Sequence, residues 1–262
     1  MQKCVIPALF SFCVLLTAPL TAQEVRSDTV IVTGSYEPIP LEESNRAVDV
    51  FDLTAQSRLL ACSIADFLRL DPSVDVQARG PDLVQADLSI RGGNFGATLV
   101  MVNGMRVSDP QTGHFNLDIP IPLDAIGRME VLKGSGSAIY GSDAVDGVVN
   151  IITRTPEATD FRLRTAVGNF GTNQQSGAVT LVERKFTEQL SFSRDFSTGF
   201  MDDRDYRNVS LASATHWRSR LGATDVLLAG DDRPYGANQF YGNFNSWERV
   251  KSWYAAARQE IG

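Results

Sequence analysis

The sequence predicts an α+β domain followed by a series of antiparallel β-strands, and three observations support this fold class. Residues 45–155 contain one helical pattern and several short apolar runs that turn-forming residues separate. From residue 161 onward, apolar and polar residues alternate with the period of two that is typical of β-strands. The 262-residue chain also contains 21 Gly and 14 Phe, a composition that favours β structure over a helical bundle.

The one helical pattern is SIADFLRL, which begins at Ser63. Ser63 is suited to cap this helix, because Asp66 follows three residues later at the spacing of a capping box. The apolar residues of the pattern, among them Ile64 and Phe67, fall on one helix face. Cys62 lies just before the helix, and we expect it to be buried as a small hydrophobic residue.

Short apolar runs that are typical of buried strands follow the helix, with glycine-rich turns between them. The runs are LSI at 88–90, TLVMV at 98–102, MEVL at 129–132 and VVNIIT at 148–153. The turn signals are RGG at 91–93, NG at 103–104 and the cluster KGSGSAIYGSDAVDG at 133–147. We expect the glycines of this cluster to form tight turns, because the Gly-Lys-Ser/Thr sequence of a phosphate-binding loop does not follow.

The strands after residue 160 are predicted to have one apolar and one polar face. The apolar faces contain Phe161, Leu163, Thr165 and Val167, then Leu190, Phe192 and Phe196, then Val209, Leu211 and Trp217. Similar patterns occur at 177–184, 224–230 and 247–260. In a water-soluble sandwich the apolar face forms the core, whereas in an outer-membrane barrel it contacts lipid. The alternation itself leaves both architectures open.

The N-terminus has the pattern of a secretory signal. Lys3 precedes an apolar stretch from Val5 to Ala18, and small residues offer a cleavage site near Ala22–Gln23. The alternative is a buried N-terminal helix. Residues 23–44 then form a polar tail that contains DTVIVTG at 28–34. This β-favouring stretch has no apolar pattern around it against which it could pack, so the sequence predicts a flexible tail.

Charge, cysteine and histidine content exclude several classes of function. The formal net charge of −7 argues against a nucleic acid partner. Of the three cysteines, Cys4 and Cys13 lie in the predicted signal, so no disulfide framework is expected. His114 and His216 are the only histidines, and neither a Cys/His metal spacing nor a catalytic constellation is present. A secreted β-rich enzyme is the rival from a different class, but it would require such a constellation.

Four stretches carry a resemblance to the TonB-dependent outer-membrane receptors. DTVIVTG is similar to the energy-coupling box near the mature N-terminus of that family. LSIRGG at 88–93 and TLVMVNGMRV at 98–107 are similar to two central strands of its plug domain, and IGRMEVLKGSGSAIYGSDAVDGVVNIITR at 126–154 to the signature that closes the plug. The resemblance covers residues 28 to 154, in the order and spacing of the family.

The resemblance implies a division of the chain into four parts. These are a signal peptide (1–22), the TonB box with a flexible linker (23–44), a plug domain (45–155) and the first antiparallel strands of an incomplete transmembrane β-barrel (156–262). About six strands fit after residue 160, whereas plugged transporters use about 22. We therefore expect the N-terminal part of a longer receptor, truncated by a partial reading frame.

The implied function is non-enzymatic. The family imports a scarce solute across the outer membrane of Gram-negative bacteria, with TonB as the partner that supplies energy and with lipid around the barrel. The motifs favour cobalamin slightly as the solute, and a ferric siderophore is the alternative. A surface sensor is a further alternative, but it would carry a folded domain between the signal and the box. No cofactor is expected.

The residues expected to bind TonB are those of the box. Backbone groups of the box would add a strand to a sheet of the partner, with alternate side chains Val30 and Val32 setting the fit. The expected contact residues are Asp28, Thr29, Val30, Ile31, Val32 and Thr33. The alternative is a disordered tail with an incidental preference for β structure.

Two segments are candidates for the solute site. SDPQTGHFNLDIP at 108–120 offers Asp109, Gln111, Thr112, His114, Phe115 and Asn116; YGANQFYGNFNSW at 235–247 offers Tyr235, Asn238, Gln239 and Tyr241. The alternatives are a polar surface turn for the first segment and an aromatic girdle for the second. By resemblance, Arg91 and Lys133 are expected to face the barrel wall. The family has Arg at the position of Lys133, and Lys lacks the two-pronged hydrogen bonding of Arg.

An acidic loop, DFSTGFMDDRD at 195–205, raises the question of calcium. Its candidate ligands are Asp195, Asp202, Asp203 and Asp205. The spacing of an EF-hand is not met, because Arg207 stands where the third ligand is due. A solvated turn is the preferred interpretation. Calcium stays an alternative because cobalamin receptors of the resembled family use it in extracellular loops.

Overall fold

The structure is a computed structural model that describes residues 29–53, 61–81, 84–107, 109 and 112–261. The predicted signal peptide, Asp28 of the predicted box and Gln111 of the first solute segment lie outside the described residues. None of the helices in the described ranges has the length and apolarity needed to cross a membrane.

The N-terminal domain (residues 45–155) is built around a five-stranded sheet. Together with the tail (residues 29–44) it contains β1 (Val30–Ile31), β2 (Ile39–Pro40), β3 (Val48–Asp52), β4 (Val74–Ala78), β5 (Ala86–Ile90), β6 (Thr98–Val102), β7 (Met105–Val107), β8 (Ile126–Lys133) and β9 (Gly147–Thr153). The helices are α1 (Ile64–Leu68) and α2 (Ser137–Tyr140). The strand order is β3-β8-β9-β6-β7, and β6 pairs with β9 in parallel. Strands β4 and β5 form a separate antiparallel pair.

Both faces of the five-stranded sheet are buried, which explains the continuous apolar runs in the sequence. On one face, Val131 and Ile151 pack with α1 and the β4–β5 pair. On the other face, Leu132 and Val148 pack with Ile31 of the tail. The four predicted runs at 88–90, 98–102, 129–132 and 148–153 all lie within strands, as predicted.

The predicted helix begins as expected. Ser63 Oγ accepts a hydrogen bond from the amide of Asp66, and Asp66 Oδ2 accepts one from the amide of Ser63. The expectation that Cys62 is buried is wrong, because its side chain is exposed. Cys62 precedes the N-cap and its amide donates to Asp66 Oδ2 at 2.9 Å, so it lies outside the apolar helix face.

The second half of the described chain is a six-stranded antiparallel sheet in which each strand pairs with the next. Its strands are β10 (Asp160–Val167), β11 (Asn173–Glu183), β12 (Phe186–Ser197), β13 (Tyr206–Ser219), β14 (Gly222–Gly236) and β15 (Trp247–Glu260). The predicted alternation is confirmed, and β14 extends six residues beyond the pattern predicted at 224–230 because DDRPYG continues the strand.

The apolar face of the six-stranded sheet is directed away from the N-terminal domain. Phe161, Leu163 and Leu211 are exposed, and so are many other large apolar side chains on this face. The opposite face, with Ala212 and Ala229, packs against the core of the N-terminal domain. This is the reverse of a water-soluble sandwich, in which the apolar face would be the core.

The two ends of the six-stranded sheet differ in loop length. Only Arg184–Lys185 and Arg220–Leu221 separate the strands at one end, the short-turn end. Longer connections at 168–172, 198–205 and 237–246 lie at the other, the long-loop end. Short turns at one end and long loops at the other are typical of outer-membrane barrels.

The close approach at Gly147 provides a test of the fold. A Cβ atom there would lie 2.4 Å from the carbonyl oxygen of Leu132 and 2.5 Å from Ile90 Cδ1. Gly147→Ala should therefore destabilise the N-terminal domain by about 1–3 kcal/mol, since the backbone must shift. The measurement is the urea concentration at which the domain in the purified protein becomes sensitive to protease. Gly96→Ala is the control, because a Cβ there would meet only Asn94 Oδ1 at 3.5 Å.

Candidate functional site

The tail is docked on the N-terminal domain rather than extended into solvent. Strand β1 pairs with β2 in antiparallel orientation, with Val30 opposite Pro40 and Ile31 opposite Ile39. The side chain of Ile31 has no exposed surface, whereas Val30 is 42% exposed. Alternate residues of the box therefore point into the domain and toward solvent, as a half-buried strand requires.

Polar groups at the centre of the five-stranded sheet hold the box. The amide of Val32 donates to Glu130 Oε2 at 3.0 Å, and Asn150 Nδ2 donates to Thr33 Oγ1 at 3.0 Å. Glu130 and Asn150 oppose each other across β8 and β9, and both are fully buried. Arg128 also donates to Glu130, at 3.0 Å, and so compensates the buried charge.

The expectation of a flexible tail without a partner is therefore wrong for residues 29–41. The partners of the tail include Leu132, Val148, Glu130 and Asn150, which lie within strands of the N-terminal domain, and Tyr140 of α2, which accepts from the amide of Gly34. A single buried polar residue in a strand gives no sequence signal of the segment that it binds, so these contacts could not be predicted. The described residues of the box nevertheless all dock against the N-terminal domain as one segment.

Lys133 forms ion pairs within its own domain. Its Nζ lies 2.5 Å from Asp49 Oδ2 and 3.1 Å from Asp71 Oδ2. Burial acts to raise the pKa of Asp71, but hydrogen bonds from Ser73 and Lys133 outweigh it and leave the pKa below its ordinary value. Burial likewise acts to lower the pKa of Lys133, yet the two carboxylates raise it. Arg91 is exposed, and contact of either residue with a barrel wall stays a prediction.

Arg233 of β14 makes the contact between the six-stranded sheet and the N-terminal domain that sequence reasoning missed. Its Nη2 donates to the carbonyl oxygen of Ile119 at 2.7 Å, and its Nη1 lies 3.5 Å from Asp118 Oδ1. Asp231 accepts a hydrogen bond from Arg233 Nε and orients the guanidinium. Both Asp118 and Arg233 are buried. The signal that could have found this contact is a basic residue on the polar face of a strand.

The buried carboxyl of Asp118 has an unusual protonation equilibrium. Burial raises its pKa to about 7, and the attraction of Arg233 offsets only part of the burial. The neighbouring carboxylates of Asp231, Asp109 and Glu248 raise it further. Near neutral pH the group therefore exchanges a proton that an exposed aspartate would have lost.

The first solute segment contains a short turn, Gly113–Phe115, whose side chains are half-buried. Asp109 Oδ1 accepts from the amide of Thr112 at 3.1 Å. His114 Nδ1 lies 2.7 Å from Asp87 Oδ1, and its ring stacks on Phe95. Phe115 and Asn116 follow in the same turn, so the described candidates of this segment are neighbours.

The second solute segment is partly buried. Tyr235 has no exposed surface and donates to Glu248 Oε2 at 2.6 Å, and Asn238 is buried with its Nδ2 donating to the carbonyl oxygen of Asp202. Gln239 and Tyr241 are exposed. In this structure only the last two thus offer open surface to a solute.

Arg79 brings the two solute segments together. Its side chain lies 3.7 Å from Asp87 Oδ2, donates to the carbonyl oxygen of Phe240 at 2.7 Å and lies over the ring of Tyr241 at 5.4 Å. Because Asp87 holds His114, the two segments share one chain of contacts at the long-loop end. Sequence reasoning missed Arg79, which directly follows β4, and Asp87, which lies on β5.

The four candidate calcium ligands do not converge. Among the described residues no group of three or more His, Cys, Asp or Glu side chains is arranged to hold a metal ion. Asp195 accepts hydrogen bonds from Gln174 and Tyr206, and Asp203 accepts one from Asn245. The other two candidates, Asp202 and Asp205, do not form such a group with them either. The described geometry therefore gives the calcium hypothesis no support.

The protonation of Asp118 predicts a pH dependence of stability. Between its ordinary pKa of 3.8 and its folded pKa of about 7, the folded protein holds a proton that the unfolded chain has released. Stability therefore falls as pH rises through this range, by up to roughly 4 kcal/mol, and the loss is complete above pH 7. Asp118→Asn should flatten the fall of the thermal midpoint between pH 5 and 8. Asp75→Asn, at an exposed position, should leave the slope unchanged.

Comparison with known proteins identifies the N-terminal domain. The sequence model of the TonB-dependent Receptor Plug Domain matches residues 40–148. The chain is 35% identical over 162 residues to the vitamin B12 transporter BtuB of Vibrio vulnificus, covering 61% of this chain and 26% of that protein. It is 31% identical over 180 residues to BtuB of Photobacterium profundum, covering 68% and 29%. The chain thus spans less than a third of the length of these relatives.

Solved structures share the fold of both halves. The pyoverdine receptor FpvA of P. aeruginosa superposes with a TM-score of 0.71 at 14% identity, over 88% of this chain and 34% of that one. The unliganded ferric citrate transporter FecA superposes with a TM-score of 0.64 at 18% identity, over 83% and 38%. At these identities the likeness concerns the fold alone. The matching domain model and the two relatives identify residues 40–148 as a plug domain of the TonB-dependent receptor family.

Proposed function

We propose that this chain acts in the energy-coupled uptake of cobalamin, or of a closely related corrinoid, across the outer membrane of a Gram-negative bacterium. The carrying observation is that the tail and the solute segments lie at opposite ends of the six-stranded sheet. Val32 of the tail shares a hollow with Thr187, His216 and Asp225, which adjoin the short turns. Arg79 and Tyr241 lie among the long loops.

This arrangement suits a receptor that binds on one side of a membrane and is driven from the other. Long loops of outer-membrane barrels face the exterior and short turns face the periplasm. The exposed apolar face of the six-stranded sheet is suited to lipid. A solute held near His114 and Tyr241 would thus enter from outside, while the tail lies on the periplasmic side where TonB acts.

TonB would engage the tail by strand addition. Such pairing uses the backbone groups of the added strand. Part of the box backbone is already occupied, because β1 pairs with β2 and the amide of Val32 donates to Glu130. The docked tail and the TonB-bound tail are therefore alternative states, and the balance between them sets the availability of the box.

Cobalamin is favoured over other solutes by the two relatives, both described as vitamin B12 transporters. A ferric siderophore is the second candidate, since receptors for such solutes share the fold. The family consists of receptors and transporters, so no enzymatic activity is proposed.

Uptake of labelled solutes distinguishes these candidates. Cells that lack their own cobalamin receptor, complemented with the receptor gene that encodes this chain, should accumulate labelled cyanocobalamin. They should not accumulate ferric citrate or ferric pyoverdine above the level of the empty vector. If cobalamin uptake stays at background level and uptake of an iron complex is saturable, the solute is a ferric siderophore and not cobalamin.

Val30→Pro tests the role of the box. Proline removes the backbone N–H and disfavours an added strand, so this variant should lose energy-dependent cobalamin uptake at least tenfold while its binding of cobalamin to outer membranes stays unchanged.

Tyr36→Pro is the matched control for this experiment. Tyr36 lies in the same tail but outside the box and is 84% exposed. Uptake in this variant should equal that of the unmodified receptor. Unimpaired uptake in Val30→Pro would show that residues 29–33 do not serve as the TonB box.

A further inference from the structure

The imidazole of His114 is fixed in one orientation by two neighbours. Its Nδ1 lies 2.7 Å from Asp87 Oδ1, and its ring stacks on Phe95 with 4.4 Å between the ring centroids and 28° between the planes. Asp87 is buried in β5, and its second carboxylate oxygen lies 3.7 Å from Arg79. Arg79 thus pairs with the side of the carboxylate that faces away from the ring, and the stack on Phe95 prevents the ring from rotating freely.

This geometry decides which nitrogen of His114 carries the proton. An ionised carboxylate can only accept a hydrogen bond, so Nδ1 must be the donor. In the neutral ring Nε2 then carries a lone pair. No described residue forms a hydrogen bond with Nε2, and the side chain is 35% exposed. In its neutral form His114 therefore presents a hydrogen-bond acceptor at the long-loop end.

We propose that the Asp87–His114 pair selects solutes that donate hydrogen bonds from carboxamide groups, with Asp87 as the positioning residue. The inference rests on the proposed function and refines it. The side chains of the corrin ring in cobalamin end in carboxamides, whose N–H groups can donate to Nε2. A corrinoid whose side chains are carboxylates offers only acceptors.

The discrimination follows from the cost of leaving polar groups unpaired. A carboxylate placed against the Nε2 lone pair forms no hydrogen bond, and both groups lose their water. Sites that are built to bond one polar group reject analogues without it strongly for this reason. We expect a preference of about tenfold or more for the carboxamide.

Two corrinoids test the proposal by a ratio of affinities. Cyanocobalamin and dicyanocobyrinic acid, which has carboxylates in place of the carboxamides, are titrated against outer membranes that contain the receptor. Asp87→Asn lets residue 87 either donate or accept, so the ring is no longer held in one tautomer. The preference should then fall at least fivefold. His114→Phe keeps an aromatic ring against Phe95 but removes Nε2, and it should lower the preference to a similar extent.

Asp75→Asn is the matched control. Asp75 lies on β4 of the same strand pair, is exposed, and accepts a hydrogen bond only from Gln77 among the described residues. Its loss removes the same charge without contact to His114, so the preference should stay as in the unmodified receptor. A purely structural role of Asp87 would lower both affinities together and leave their ratio unchanged.

The outcomes separate this inference from the proposed function. If the unmodified receptor binds neither corrinoid, the proposed function fails. If it prefers cyanocobalamin and both variants keep that preference, the function stands and the role of the Asp87–His114 pair is overturned. A ratio that falls in Asp87→Asn and His114→Phe but not in Asp75→Asn supports the proposal.

Discussion

The five-stranded sheet is apolar on both faces, and this constraint determines where the other parts of the N-terminal domain must lie. One face is covered by α1, the β4–β5 pair and the alanines of the six-stranded sheet. The other face depends on the tail, where Ile31 packs on Leu132 and Val148. Removing the tail would expose this apolar surface to water, which costs about 25 cal/mol of stability for each Å² exposed. It would also leave Glu130 and Asn150 without their bonds to the tail, so the docked tail is part of the fold.

The two halves of the chain meet through a different kind of contact. Arg233, Arg79 and Arg204 donate across the contact to the carbonyl oxygens of Ile119, Phe240 and Arg79. Backbone carbonyls accept these bonds whatever side chain they carry, while Ala212 and Ala229 contribute little apolar area. The contact also buries Leu227 of the six-stranded sheet, and Tyr254 packs against the same core.

Local signals made much of the fold predictable, whereas long-range pairings did not. The capping box at Ser63 and the alternation after residue 160 each depend on neighbours in the sequence, and both are confirmed. The docking of Val32 and Thr33 joins residues 98 and 117 positions apart, through Glu130 and Asn150. The partners of Lys133 and Arg233 likewise could not be predicted from the sequence. The charge of a residue predicts that it needs a partner but not which one.

The place of β3 at the edge of its sheet has a mechanical consequence. Strand β3 follows the tail directly in the chain and pairs with β8 alone in the five-stranded sheet. A force applied to the N-terminal end of the tail would load the β1–β2 pair first and β3 next, while the interior strands β8, β9 and β6 are shielded by neighbours on both sides. Lys133 ties β3 to the interior through Asp49. The ion pair thus opposes the separation of β3 from β8 when the tail is pulled. The segment that can be extended before the interior strands resist is the one that ends at residue 53.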